Sequence, residues 1–271
     1  MNRSGLAELA AFEQLFAAHG QTALEYLRPH FPRFVATKKE FLRTWSREQG
    51  QRVLDLGAHW LHQSMLWATD GFEVVAVDLP ITFEIPDVRR LAQAHGIELI
   101  AEPNLERSEA LRRIPDDSID IILFTEIIEH ITFNPVTMWR ELYRVMKAGA
   151  RIIVTTPNYY ALRGRAWHWG AFLRGFGGGL PTLDILSMHT HAHHWKEFAR
   201  RELIYYFCVL SPDFVCNKAL MRKEFLGAEV RGTKVRIAKA IERIAPFLRP
   251  NLHVEIELKQ KSNGIVLAPH W

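Results

Sequence analysis

RVLDLG (52–57) is a short, continuous apolar run that closes on a glycine, and EVVAVDLP (73–80) repeats the pattern after one helical segment, HQSMLWATDG (62–71). The alternation continues outward. DVRRLAQAHG (87–96) has helical spacing, and IELIAE (97–102) and SIDIILFTE (118–126) read as strands three and four. PVTMWRELYRVMKAG (135–149) is a helix ending at a glycine stop, and ARIIVTTPN (150–158) is strand five. Continuous apolar strands alternating with helices predict an α/β, doubly wound, mostly parallel sheet with helices on both faces. HVEIELKQK (253–261) alternates like a strand and is expected to form an antiparallel edge. Residues 1–48 read as a helical extension, broken around RPHFPRF (28–34), with the main domain over 49–271.

The 271 residues, 48% of them hydrophobic, are ample for one substantial domain, and no internal repeat is present. The net charge of +4 permits an anionic partner without demanding one. Cys208 and Cys216 lack CxxC spacing, which argues against a disulfide scaffold and for a reducing cytoplasm. The N-terminal MNRSGLAELAAFEQLFAAHG has helical spacing and internal charge, unlike a signal peptide. No apolar run reaches the ~18 residues of a membrane span. The expectation is a soluble, cytoplasmic protein.

Parallel sheets bind ligands at the carboxyl ends of their strands. Asp55, Gly57, Ala58 and His59 stand at the end of the first strand, and Asp78 closes the second. A glycine in the first turn lets backbone approach a ligand, and an acid at Asp78 can accept both hydroxyls of a ribose, so the pair points to a nucleoside-containing cofactor. The alternative is that Asp55 caps a turn. His59 and Leu61 stand where a G-x-G-x-G loop would place its second and third glycines. A pyrophosphate needs the full glycine loop, whereas S-adenosylmethionine carries no phosphate and tolerates bulkier residues, which argues against NAD. Tyr143 and Lys147 form a Y-x-x-x-K, but no T-G-x-x-x-G-x-G loop accompanies it, so Tyr143 is expected to be a packing residue.

In order, VLDLG, VVAVDLP, IPDDSIDIILFTEIIEHI and ELYRVMKAGARIIVTTPN resemble the Rossmann-like S-adenosylmethionine-dependent methyltransferases over roughly residues 50–210. The resemblance implies a seven-stranded sheet and a set of cofactor residues. Asp55 and Gly57 would lie under the methionine part, with His59 also among the cofactor-binding residues; Asp78 would bind the ribose hydroxyls, and Leu79 would pack near the adenine. Asn104, Leu105 and Glu106 would edge the purine, and Thr125 and Glu126 would close over the methionine end. Ala148 and Ala150 replace the proline and second glycine of the family's usual turn before strand five.

FTEIIEHI (124–131) carries an E-x-x-E-H that is similar to those of the ubiquinone-biosynthesis O-methyltransferases and the small-RNA 3′-terminal 2′-O-methyltransferases. The latter have a further histidine about sixty residues on, and MHTHAHHWKEF (188–198) offers His189, His191, His193 and His194 at that distance, with His194 the match. These likenesses imply a divalent metal (Mg, Mn or Zn) on Glu126, Glu129, His130 and His194, with His130, Glu129 and His194 as the catalytic candidates. A divalent ion lowers the pKa of a bound oxygen, and without one His130 or His194 would serve as general base. A pocket-lining or structural role for the motif, and a solvated loop for the histidines, stay open.

YYALRGRAWHWGAFLRGFGGGLPTLDILS (159–187) mixes Trp167, Trp169, Phe172 and Phe176 with Arg163, Arg165 and Arg174 before Gly177–Gly179. Residues 159–194 are expected to form an acceptor lid, or else a packed insertion. TKVRIAKAIERIAPFLRP (233–250) is a basic amphipathic helix that covers the sheet, joins a dimer interface or makes peripheral membrane contact. The reading is a methyltransferase acting on oxygen of a small-molecule, glycan or lipid-linked acceptor. RNA 2′-O-methylation and a non-catalytic partner subunit are the alternatives, and the oligomeric state is open.

Overall fold

The computed structural model describes residues 3–21, 24–162, 164–167, 173, 180, 182–223 and 233–267. The strands are β1 (Arg52–Leu56), β2 (Glu73–Asp78), β3 (Glu98–Ala101), β4 (Ile119–Thr125), β5 (Met146–Pro157), β6 (Phe214–Arg222) and β7 (Asn251–Leu258). They form one seven-stranded sheet in the order β3-β2-β1-β4-β5-β7-β6. The pairs among β1 to β5 are parallel, while β7 runs antiparallel to both β5 and β6. The order reverses between β1 and β4, the point at which open α/β sheets bind ligands beyond the carboxyl ends of their strands.

Two expectations are corrected. HVEIELKQK does not form the edge: β7 lies between β5 and β6, and β6 is the border strand. Leu252, Val254, Ile256 and Leu258 are fully buried on one face of β7 and His253 and Glu255 on the other, as an interior strand requires. The predicted helix break at RPHFPRF is also absent. After α1 (Arg3–Ala18), α2 (Leu27–Phe41) runs straight through Pro32. Pro29 falls in the first turn, where a missing N–H costs nothing. The ~3 kcal/mol cost of Pro32 is offset by burying Phe31, Phe34 and Phe41, at about 1.5–3 kcal/mol each.

Helices α3 (His62–Ala68), α4 (Pro80–Phe83), α5 (Pro86–Ala94) and α6 (Val136–Val145) follow their strands. Each sheet face has its own core. Phe16, Phe31, Phe41, Met65 and Trp67 pack with Val53, Ala76 and Ile121, so the N-terminal helices share a core with the sheet. Trp139, Leu142 and Phe207 pack with Leu54, Val75 and Ile152 on the other face. Tyr143 sits in that second layer: its hydroxyl donates to Asp213 Oδ2 at 2.6 Å and its ring packs on Phe214. Lys147 instead pairs with Asp120, so the Y-x-x-x-K spacing brings no joint site together. Arg163, Trp169, Phe172, Arg174, Phe176 and Gly177–Gly179 lie outside the described residues.

Candidate active site at the carboxyl ends of β1, β2, β4 and β5

The loop after β1 keeps the backbone of a three-glycine loop with a single glycine. Gly57, His59 and Leu61 have φ of +75°, +49° and +65°. A left-handed non-glycine residue costs about 1–2 kcal/mol, and local contacts offset it. The His59 amide donates to Asp78 Oδ2 at 2.6 Å, and its ring packs on Tyr26 and Trp60 at 4.7 and 4.3 Å. Leu61 is fully buried. A Cβ at Gly57 would lie 2.2 Å from Ile127 Cδ1, so that side chain would have to move, and the φ of +75° itself favours glycine.

Asp78 organises this loop with both oxygens. Oδ1 accepts from the Leu79 amide at 2.7 Å and the Thr82 hydroxyl at 2.9 Å, opposite the His59 bond on Oδ2. Asp55 lies beneath, buried, and accepts the Ser64 hydroxyl at 2.6 Å. Burial pushes its carboxyl up to about 7; the Ser64 bond opposes this and the Asp78 charge adds to it. After β3, buried Glu102 accepts from the amides of Asn104 (2.9 Å) and Ala110 (2.7 Å) and so shapes the loop carrying Asn104, Leu105 and Glu106. Asn104 is exposed and Leu105 half-buried.

At the end of β4 the chain turns sharply. Glu126 has φ +56° and precedes a single 3₁₀ turn, Ile128–His130, rather than standing on it. Its amide donates to the Thr155 carbonyl, its Oε1 accepts the Thr155 hydroxyl at 2.9 Å, and its Oε2 pairs with Arg33 Nη1 at 2.7 Å. Glu129 is fully buried. Its Oε2 accepts the Thr156 hydroxyl at 2.9 Å, while Oε1 has no hydrogen-bond partner among the described residues. Burial holds the Glu129 carboxyl well above its ordinary range, the Glu126 charge adds to this, and Thr156 and Arg33 oppose it.

His130 Nδ1 lies 3.1 Å from the His193 carbonyl, and its ring meets His194 edge-on at 4.7 Å. One ligand atom each from Glu129, His130 and His194 lies within 4.8 Å of the others. Three of the four proposed metal ligands thus converge, and Glu126 stands outside the group, its carboxylate engaged by Arg33 and Thr155. Of the other histidines, His189 is exposed and buried His193 turns its Nε2 to the Asp184 carbonyl. One carboxylate and two imidazoles are a plausible donor set for a borderline divalent ion, and the orphaned Glu129 oxygen fits such a ligand.

The sequence reading missed the residues that the N-terminal helices deliver. Besides Arg33, Tyr26 stacks on His30 at 3.9 Å. Burial raises its phenol, the Arg33 charge and hydrogen bond oppose this, and the Glu126 and Glu129 charges add to it. Burial pushes His30 and His62 down to about 3, so both are neutral imidazoles at neutral pH. Gln63 accepts the Thr125 hydroxyl at 3.2 Å and keeps a buried Nε2 without a partner among the described residues. No local spacing announces a contact such as Arg33–Glu126, which joins a helix before the first strand to the end of the fourth.

Residues 54–154 match the family model of a methyltransferase domain. Similar solved structures share the fold across most of the chain. One is a chain of the complex between the Haloferax volcanii Trm112 methyltransferase activator and its methyltransferase: 14% identity, TM-score 0.56, covering 91% of this chain and 98% of that one. Another is an S-adenosylmethionine-dependent methyltransferase from Mesorhizobium loti: 15% identity, TM-score 0.54, 84% and 97% covered. A third is a sarcosine dimethylglycine methyltransferase from Galdieria sulphuraria: 13% identity, TM-score 0.54, 86% and 87% covered. No curated protein sequence matches. Residues 54–154 thus match a methyltransferase domain, and the chain has the Rossmann-like fold that the solved S-adenosylmethionine-dependent methyltransferases share.

Proposed function

We propose that this methyltransferase acts on a hydroxyl oxygen of a small-molecule, glycan or lipid-linked acceptor, in a reducing cytoplasm where Cys208 and Cys216 stay free. The observation that carries the reading is the convergence of Glu129, His130 and His194 beside the Gly57 loop, which Asp78 anchors. Bound S-adenosylmethionine supplies an electrophilic methyl on its sulfonium centre. Asp78 accepts the ribose hydroxyls, Gly57 and Asp55 underlie the methionine part beside His59, and Leu79, Asn104 and Leu105 border the adenine. Thr125 and Glu126 close the methionine end, and Arg33 holds Glu126 in place. With the cofactor bound, the imidazole of His130 or His194 would accept the hydroxyl proton as the methyl passes from sulfur to oxygen, with S-adenosylhomocysteine as the other product. A divalent ion on Glu129, His130 and His194 would supply Lewis acidity to the same oxygen.

Calorimetric titration with S-adenosylmethionine, with and without Mg²⁺, Mn²⁺ or Zn²⁺, tests this. Saturable binding that Asp78→Ala abolishes, together with a metal response that Glu129→Ala abolishes, is the expected result; cofactor binding with no metal response leaves the imidazole route alone. The His130–His194 pairing supports RNA 2′-O-methylation as the second reading, tested by salt-dependent binding of an RNA 3′ end. No cofactor binding by the isolated chain would favour a partner-dependent or non-catalytic role, in line with the activator complex of one structural neighbour.

A further inference from the structure

The helix Thr233–Ile244 was expected to choose among the sheet, a dimer partner and a membrane. Its apolar stripe faces water. Ile237, Ile241 and Ile244 recur at i, i+4 and i+7, and Ile237 and Ile244 are 54% and 85% exposed. Phe247, on the turn that follows, is 52% exposed. A helix that covered the sheet would bury this stripe.

Cations flank it. Arg236, Lys239 and Arg243 are exposed along the same helix. Residues 233–250 hold five basic residues (Lys234, Arg236, Lys239, Arg243, Arg249) and one acid (Glu242), a net +4 that equals the charge of the whole chain.

This surface adjoins the site. The Asn158 amide group donates to the carbonyls of Phe247 and Arg249 at 2.8 Å each, and the Leu162 amide donates to the Leu248 carbonyl at 3.0 Å. Asn158 directly follows β5, whose Thr155 and Thr156 hold Glu126 and Glu129. Tyr160 and Trp167, both exposed, continue the rim, with Trp167 Nε1 donating to the Tyr160 carbonyl at 3.3 Å.

We infer that this rim docks on an anionic lipid bilayer and that the acceptor is a hydroxyl-bearing amphiphile taken from that bilayer. The docking rests on the surface alone; the acceptor class rests on the methyltransferase reading. Aliphatic side chains beside a cationic flank, with Tyr and Trp at the border, complement a headgroup layer over an apolar interior. A second copy of the same face would set like charges together. A nucleic acid would use the cations and leave the isoleucines in water.

The test is co-sedimentation of the full chain with vesicles of phosphatidylcholine containing about 30% phosphatidylglycerol, beside vesicles of phosphatidylcholine alone. Binding should favour the anionic vesicles, weaken as salt rises, and drop about tenfold or more in Ile244→Glu and in Lys239→Glu/Arg243→Glu. S-adenosylmethionine titration of the same samples reports both folding and the enzymatic reading, and these variants should leave it unchanged. Absence of vesicle binding, or binding indifferent to Ile244→Glu, overturns the docking. So does retention of single-stranded RNA, rather than vesicles, by the Lys239 and Arg243 cations. Vesicle binding by a chain that takes no cofactor keeps the docking and removes the acceptor assignment.

Discussion

The two sides of the switch point between β1 and β4 are built on different terms. On the β1–β2 side the carboxylates are satisfied locally: both Asp78 oxygens accept from residues within the adjoining loops, and Asp55 takes the hydroxyl of Ser64 just after its own strand, while the unpartnered atoms there are neutral ones, on His59, His62 and Gln63. On the β4–β5 side the groups come from far apart in the chain, and one oxygen of the fully buried Glu129 has no partner among the described residues. Carboxylates satisfied in this way describe a cradle whose charges are fixed ahead of any ligand. An unpartnered buried carboxylate oxygen describes a place that a ligand completes, since leaving such an atom unmet costs about 1–3 kcal/mol or more.

The sharpest way to break this contrast is to remove the long-range countercharge. Arg33→Ala leaves the Glu126 carboxylate without its cation. Breaking a buried pair costs about 3–5 kcal/mol, and the Thr155 bonds and partial exposure of Glu126 place the loss near the lower end, about 3 kcal/mol. Urea unfolding measures it. Arg33→Ala/Glu126→Gln should recover part of the loss, and a single variant as stable as the wild type would show the pair to be dispensable.

On the local side, Asp78→Ala should weaken S-adenosylmethionine binding by at least about a hundredfold, roughly 2.7 kcal/mol, by removing the proposed acceptor for the ribose hydroxyls and the anchor for the His59 and Leu79 amides. Calorimetry reads the constant. A change below tenfold would mean that the ribose is held elsewhere.

How much of this was legible follows the same division. β1 to β5 announce themselves because each is a continuous apolar run between helical patterns, and Gly57, Asp78 and the E-x-x-E-H lie inside or beside those runs. β6 was missed: Phe214–Arg222 is a border strand with most residues only partly buried, and it includes no clean apolar run. Once β6 takes the border, β7 must lie inside. Arg33, Tyr26 and Gln63 were missed because their roles arise only when the sheet brings distant segments together; a proline-containing stretch gives no local sign that an arginine within it will reach the end of β4. His194 was visible only through resemblance, and the fold sets it against His130.

Asp55 sharpens the comparison through pH. Its folded pKa of about 7 lies above the ordinary value of 3.8, so between those limits the folded chain binds more protons than the unfolded one. The Asp55 contribution is therefore fully present at low pH and is lost as pH rises from about 4 to about 7. Asp55→Asn removes this titration. The variant should gain about 2 kcal/mol relative to the wild type between pH 5 and pH 7, by denaturant unfolding at each pH, from a limit of about 1.4 kcal/mol per pH unit. A constant difference would show that Asp55 ionises in the fold as readily as in the open chain.

The smallest effect is expected where glycine would be restored. His59→Gly relieves a left-handed backbone worth about 1–2 kcal/mol and gives up ring contacts with Tyr26 and Trp60 worth about 0.5–1.5 kcal/mol, besides the entropy a glycine loses on folding. These offset, and the unfolding free energy should move by less than about 1 kcal/mol. Leu61→Gly relieves the same backbone but empties a fully buried position, where losing the side chain costs about 2–5 kcal/mol, so it should clearly destabilise. The two substitutions share a backbone conformation and differ in what the side chain touches. If both proved neutral, backbone strain would outweigh packing along the whole loop; if both destabilised alike, the His59 rings would be holding the N-terminal helices in place far more firmly than ordinary aromatic contacts do.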